Sequence, residues 1–258
     1  MNKLTIIIPS RKQEKQFSFI QKATESVRKQ SIANQFAITF LVGVDKGCRL
    51  EPAISEILGV QCIESGGASQ AKALNVAIRQ VHEGYVAFLE DDDQWMPDYL
   101  NFAMKAIALC DFVSSTQAEF NEADELIRVN DFPTPSGWFM PASTLKKVGE
   151  FNESYRFHLD NEWLGRLSES KLKRIHMVEA TAPVQKSYTQ QVRPWLTNVL
   201  NLSGGLCNLA RHGSPYPLVR RLVHSNSGMA QIATNSEYSE ISKRECESLV
   251  NRFGVIPW

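Results

Sequence analysis

Tyr85-Val86-Ala87-Phe88-Leu89-Glu90-Asp91-Asp92-Asp93-Gln94-Trp95-Met96-Pro97-Asp98 decides how this chain reads. An apolar run heads for a core and stops at four consecutive carboxylates. Adjacent negative charges repel, so the cluster is either a solvated turn or a place for a cation. The run has strand length, and Pro97 suits the first turn of a following helix, where its missing N–H costs nothing. The acids then fall at the carboxyl end of a strand, the end at which open α/β sheets bind ligands. Hard divalent cations such as Mg²⁺ take oxygen ligands, usually one or two carboxylates plus substrate phosphates. Strand-end acids beside a nucleotide-binding sheet fit a metal–diphosphate site.

The neighbouring sequence supplies such a sheet. Residues 4–8, Leu-Thr-Ile-Ile-Ile, are the type of run expected of a strand buried on both faces of a parallel sheet. Pro9-Ser10-Arg11 ends it. Phe17, Ile20, Thr24 and Val27 recur at helical spacing and predict a helix over 14–29. Residues 36–44 read as a second strand ending at Asp45-Lys46-Gly47, and residues 60–63 as a third. Gly66-Gly67 opens a loop, and Ala71, Leu74, Ile78 and Val81 mark the next helix. After the acids, residues 99–110 are apolar on several faces, which predicts a well-buried helix. The order β-α-β-β-α-β-α describes a Rossmann-like open sheet with right-handed crossovers. The pattern then changes. Residues 112–120 read as a strand, 121–125 as a turn and 126–129 as a return, which makes a hairpin. A short helix over 142–148 ends at Gly149, which suits a left-handed cap. A helix over 161–168 and a strand over 174–178 follow. Residues 1–181 are read as one α/β domain, with a nucleotide-binding half (1–93) and an acceptor half (94–181). Residues 182–258 are read as a mostly helical C-terminal extension.

Composition narrows the class. The chain has 258 residues, with Lys+Arg 28 against Asp+Glu 28. This balance disfavours a nucleic-acid binder, which would normally be basic. The 5 cysteines form no C-x-x-C pair, which disfavours a disulfide framework or zinc knuckle and points to a reducing cytoplasm. No apolar stretch reaches the roughly 18–20 residues of a membrane span, and the N-terminus lacks a signal-peptide pattern. Peripheral membrane association and oligomerisation are left open.

Residues 88–98 resemble the aspartate-rich signature of family 2 glycosyltransferases, inverting sugar transferases of the GT-A fold. Thr5-Ile6-Ile7-Ile8-Pro9-Ser10 is similar to the family's first strand and loop, and Gly43-Val44-Asp45-Lys46-Gly47 to its second-strand motif. Ala73-Leu74-Asn75-Val76-Ala77-Ile78 is similar to the helix before the acidic strand. Gly137-Trp138-Phe139-Met140 and residues 148–153 resemble the acceptor-side segment, and residues 158–167 the second acidic motif. The matches run in order over residues 4–167. Three positions depart from the usual pattern. Glu90 replaces the first Asp of the signature, Leu159-Asp160 stands for Glu-Asp, and Asp45-Lys46 stands for paired acids.

The resemblance implies a GT-A Rossmann-like open mixed sheet flanked by helices. It also implies a sugar transfer from a nucleotide-diphosphate sugar, UDP-linked by expectation, to a glycan or other hydroxyl acceptor. Mn²⁺ or Mg²⁺ would sit on the diphosphate, and polysaccharide assembly is the family-level setting. On the donor side it places Pro9, Ser10, Arg11, Asp45, Gly67, Lys72, Glu90 and Asp91, with Asp45 on the base. Asp92 aligns with the last acid of the D-x-D pattern and is the first metal ligand. Asp91 and Asp93 follow, one of them contacting the sugar instead. Asp160 is the general base, which takes the acceptor hydroxyl's proton, with Glu162 in reserve. Trp138, Met140 and Trp163 are the acceptor-side residues. Asp160 also reads as a helix N-cap, and the tryptophans as core. Arg211, His212, Arg220, Arg221 and His224 form either a lid over the diphosphate or a solvated helix face. A sugar-phosphate nucleotidyltransferase and a non-catalytic binding protein on the same fold are the alternatives. The first normally carries a glycine-rich loop after strand one, and residues 9–13 hold no glycine.

Overall fold

A computed structural model of the chain describes residues 1–11, 15–180, 206–225 and 227–257. The first half contains β1 (Asn2–Ser10), α1 (Gln16–Arg28), β2 (Phe36–Val44), α2 (Pro52–Leu58), β3 (Gln61–Glu64), α3 (Gln70–Ile78) and β4 (Tyr85–Phe88). Then come β5 (Gln94–Trp95), α4 (Tyr99–Ile107), β6 (Phe112–Ser115), β7 (Gln117–Phe120) and β8 (Leu126–Asn130). These are followed by β9 (Phe139–Pro141), α5 (Ala142–Val148), α6 (Leu159–Glu169) and β10 (Arg174–Val178). The last described elements are β11 (Cys207–Arg211), β12 (Val219–Leu222), α7 (Gly228–Thr234) and α8 (Ser236–Phe253).

The strands form an eight-stranded sheet, β11-β10-β6-β9-β4-β1-β2-β3, and a four-stranded sheet, β5-β12-β7-β8. In the large sheet β1 runs parallel to both β2 and β4, and β9 runs antiparallel to β4 and β6. The sheet is open and mixed, as expected. The chain moves outward from β1 to β2 and β3, then returns to the other side of β1 as β4. That reversal leaves a crevice at the carboxyl ends of β1 and β4, the usual place for a ligand in such sheets.

Strand β1 shows why the apolar runs lack alternation. Side chains alternate between faces, and both faces here are covered. Leu4, Ile6 and Ile8 enter one core and Ile7 the other. Strand β4 divides the same way, with Ala87 in the first core and Val86 and Phe88 in the second. The packing of α3 on β2 depends on Gly43. A Cβ there would lie 1.8 Å from the Ala73 carbonyl oxygen. Gly43→Ala should therefore displace α3 and cost about 3 kcal/mol or more, the upper end of overpacking effects. Urea unfolding would measure this, and a variant as stable as the parent would contradict the packing.

Three expectations need correction. Pro97 lies before α4 and outside it, since the helix begins at Tyr99 and Gln94–Trp95 is a short strand. The single strand over 112–120 is two strands. β6 pairs in the large sheet and β7 in the small one, where it forms the expected hairpin with β8. Of the stretch read as a mostly helical extension, residues 182–205 lie outside the described residues; the rest holds α7 and α8, but also β11 and β12, which hydrogen-bond into the two sheets. Both are short, and β12 reads Val-Arg-Arg-Leu, so neither carries a strong strand pattern. Gly149 ends α5 as expected of a glycine, with a positive φ of 89°, but its ψ of −172° is extended and not that of a left-handed cap.

Candidate active site

A cleft of about 830 Å³ opens at the carboxyl ends of β1, β2 and β4. Pro9, Ser10, Arg11, Asp45, Glu90, Asp91, Asp92 and Asp160 all line it, and the Asp160 charge is felt at Glu90. Strand order accounts for the convergence, because each group ends or follows a strand, or starts a helix, at this edge. Asp45 follows β2, and burial raises its pKa against the Ser69 backbone N–H and the Arg11 charge, which lower it. Gly67 and Lys72 do not line the cleft. They lie side by side, and a Cβ on Gly67 would come within 2.8 Å of Lys72 Nζ.

The four acids are not equivalent. Asp91 faces β1, where Ser10 Oγ donates to its Oδ2 at 2.5 Å across the crevice. Burial, and then the Asp92 charge, push its pKa up to about 7. Asp93 is only 1% exposed and serves the frame: Ser136 Oγ donates to Oδ2 at 2.5 Å and the Leu222 N–H to Oδ1 at 3.1 Å. Burial holds its pKa well above the ordinary range, with Asp92 and Glu90 adding to the rise. Glu90 accepts from Gln70 Nε2 at 2.9 Å, and burial raises its pKa too, against the Arg221 charge. Glu90, Asp92 and Asp93 each offer an oxygen, and these atoms lie within 4.8 Å of one another. That set of hard oxygen donors suits a divalent cation such as Mg²⁺ or Mn²⁺. Asp91 is not in the group.

Two members of the basic run meet these acids. His224 Nε2 lies 2.9 Å from Asp92 Oδ2. Arg221 pairs with Glu119 at 3.1 Å. Burial works against the Arg221 charge, but Glu90, Asp93, Glu119 and Asp92 outweigh it and raise its pKa. The other basic residues serve elsewhere. Arg220 covers the Phe120 ring at 3.9 Å, Arg211 lies on β11, and His212 is buried beside the Phe102 ring. All of these but His212 and His224 lie on strands, and none lies on a helix.

Asp160 sits in the first turn of α6 and His158 is the N-cap. Asp160 Oδ1 accepts the Asn161 N–H at 2.9 Å. Burial raises its pKa against that bond and the charges of His158 and Arg221. Glu162, the reserve base, is turned away from the cleft and engaged by other partners. It is 1% exposed, does not line the cleft, and is held by Arg166 and Arg252 at 3.0 Å. Two positions from Asp160 on a helix, it faces another direction.

The model of the family described as "Glycosyl transferase family 2" matches residues 5–162, which span Asp45, the acidic cluster and Asp160. The chain belongs to glycosyl transferase family 2. No curated protein matches it at sequence level. Among solved structures, S. aureus TarS 1-349 in complex with UDP-GlcNAc aligns with a TM-score of 0.59 at 14% identity, covering 96% of this chain and 67% of that one. TarS 1-349 in complex with UDP aligns at 0.57 and 14% identity, covering 98% and 72%. A longer TarS structure aligns at 0.54 and 13% identity over 97% of this chain. The chain spans 43% of that longer TarS structure, and 55% of a TarS 1-349 structure to which it aligns with a TM-score of 0.47. At such identities the likeness is one of fold, an open α/β sheet of the GT-A type.

In this family 2 member, the three expected acceptor-side residues do not reach the cleft. Trp138, Met140 and Trp163 are all 0% exposed. The indoles lie 4.9 Å apart between centroids, among Phe88, Phe112 and Phe151. Their N–H groups donate to the Pro133 and Gly149 carbonyls at 2.6 and 2.8 Å. They form the core beneath β4 and β9. Trp138→Ala should thus cost about 3–5 kcal/mol of stability, measured by denaturant unfolding. Unchanged stability with impaired acceptor use would restore a stacking role. Among the described residues, no helix is long and apolar enough to cross a membrane, and all five cysteines are free.

Proposed function

We propose that the chain is an inverting hexosyltransferase that moves a sugar from a UDP-sugar to an acceptor hydroxyl in glycan assembly. The observation that carries this reading is the placement of Asp160 in the same cleft as Asp45, Arg11 and the Asp91–Asp92 pair. Asp45 and Arg11 suit a base and diphosphate, and Asp160 supplies a carboxylate to accept a proton. The TarS structures with UDP and UDP-GlcNAc favour uracil as the base. The five free cysteines suit a reducing compartment.

Asp45 would accept the ring N–H of uracil, oriented by the Ser69 N–H and by Arg11. Arg11, at the end of β1, would meet a phosphate. Glu90, Asp92 and Asp93 would hold a divalent cation. When bound, that ion would neutralise charge on the leaving diphosphate. His224, on Asp92, would fix that carboxylate. Asp160 would take the acceptor hydroxyl's proton as the oxygen attacks the anomeric carbon from the opposite face. The bond from that carbon to the diphosphate oxygen breaks, and its electron pair leaves with UDP. Burial makes Asp160 a stronger base than a solvated aspartate, which suits it to this transfer near neutral pH.

A panel of nucleotide sugars, assayed for UDP or GDP release with and without Mn²⁺, tests the reading. Release from a UDP-sugar that requires the metal is the expected result. Turnover that persists in EDTA would remove the metal from the proposal, and no turnover of any sugar nucleotide would remove the activity.

A further inference from the structure

Tyr155, Arg156, Phe157, His158 and Asp160 line the cleft together, and their support comes from α8, the last of the described helices. Glu245 of α8 is only 7% exposed. Its carboxylate accepts three consecutive backbone N–H groups: Arg156 at 2.6 Å, Phe157 at 2.9 Å and His158 at 3.0 Å. These amides lie just ahead of α6, whose positive end favours an anion. Ser242 and Ser248 stand one turn to either side of Glu245, on the same stripe of α8. Ser242 Oγ lies 2.8 Å from His158 Nε2, and Ser248 Oγ 2.9 Å from the Tyr155 hydroxyl. Beyond the helix, the Pro257 carbonyl accepts from Asn161 Nδ2 at 2.7 Å. Residues on both sides of Asp160 are therefore tied to the C-terminal segment.

We infer that Glu245 is a positioning residue for the general base. Its carboxylate fixes the backbone of residues 156–158, and this aims the Asp160 side chain across the cleft. The inference rests on the reading of Asp160 as the base. The chemistry requires a carboxylate. Two acceptor oxygens serve three N–H groups, whereas a glutamine at this position would turn a donor toward at least one of them. A displacement of about 1 Å at a catalytic group costs on the order of 10²-fold in rate, so a loosened wall would be felt at Asp160 even with the donor site intact.

The test is a double-mutant cycle between Glu245→Gln and Asp160→Asn. It measures UDP release from the UDP-sugar chosen by the panel, with water as acceptor. UDP–Mn²⁺ binding stoichiometry reports the folded fraction. Glu245→Gln should lower kcat by about 10–100-fold, leave the donor KM within about twofold, and bind UDP at full stoichiometry. In the Asp160→Asn background it should cause no further loss, because both changes remove one function. Hydrogen exchange should show lost protection at residues 155–161 and none lost in α3. Retained kcat, a multiplicative loss in the double variant, or unchanged protection would each overturn the inference. If Glu245→Gln does not fold, Ser248→Ala takes its place, with a smaller loss of rate and the same non-additivity. Wild-type turnover by Asp160→Asn alone is a separate result and would instead overturn the assignment of the base.

Discussion

Asp160→Asn is expected to lower sugar transfer by about 10²–10⁴-fold, the usual contribution of a positioned base, while leaving UDP binding unchanged. The substitution preserves shape and the oxygen that receives the Asn161 N–H, so α6 should start as before. It removes only the capacity to take a proton. The stability change has a defined sign. Burial raises the Asp160 pKa in the folded protein. Its contribution to stability is therefore fully present below the unfolded-state pKa and is lost as pH rises through the folded value. At neutral pH the wild-type protein bears the desolvation penalty, and the asparagine relieves it. The variant should unfold at the same temperature as the parent or higher while being nearly inactive. A variant that is both active and unchanged in stability would place the base elsewhere. One that is inactive and unfolded would show Asp160 to be a structural residue.

Asp92→Ala should abolish the stabilisation that UDP and Mn²⁺ give together. A ligand at about 100 times its Kd adds about 2.7 kcal/mol, and for a chain of this size that corresponds to a Tm rise of about 5–10 °C. The wild-type protein should show this rise only with nucleotide and metal together, and the variant should show almost none. Asp92 raises the pKa of Glu90, Asp91 and Asp93 through its charge. Its loss eases repulsion among the acids and leaves His224 without this partner. The unliganded variant should therefore stay close to the parent in stability. An equal ligand-induced shift in both proteins would remove Asp92 from the metal site.

Much of this arrangement was legible from residue order. The apolar runs located β1, β2 and β4, and the abrupt change at Glu90 located the strand end. The sequence also separated Asp160 from the donor acids. The errors have physical causes. A tryptophan in a core and one that stacks on sugar both sit in apolar surroundings, so the sequence offered both readings for Trp138 and Trp163, and only the packing shows that they are buried. Glu162 was weighed without Arg252, which lies 90 positions away and is brought to it only by the packing of α8 on α6. Arg221 and His224 stood out as a basic group, but the sequence did not assign them to β12 and the turn after it. A four-residue strand rich in arginine has no readable period, and its partners β5 and β7 lie about a hundred positions earlier.

That last pairing has a consequence for how the protein is made. β12 occupies an interior place in the small sheet, between β5 and β7. A ribosome extends the chain from the N-terminus, so the acidic strand end emerges long before Arg221 and His224 exist to meet it. Closing a loop of that length adds little entropy cost beyond that of a shorter one, but it must wait for synthesis. A nascent chain that has completed the stretch matched by the family model, residues 5–162, still lacks Arg221, His224 and Glu245. Maturation of the cleft must therefore wait until the chain beyond Glu245 has been made, and an expression product trimmed to the matched stretch would lack both the counter-charges at its acids and the support behind Asp160.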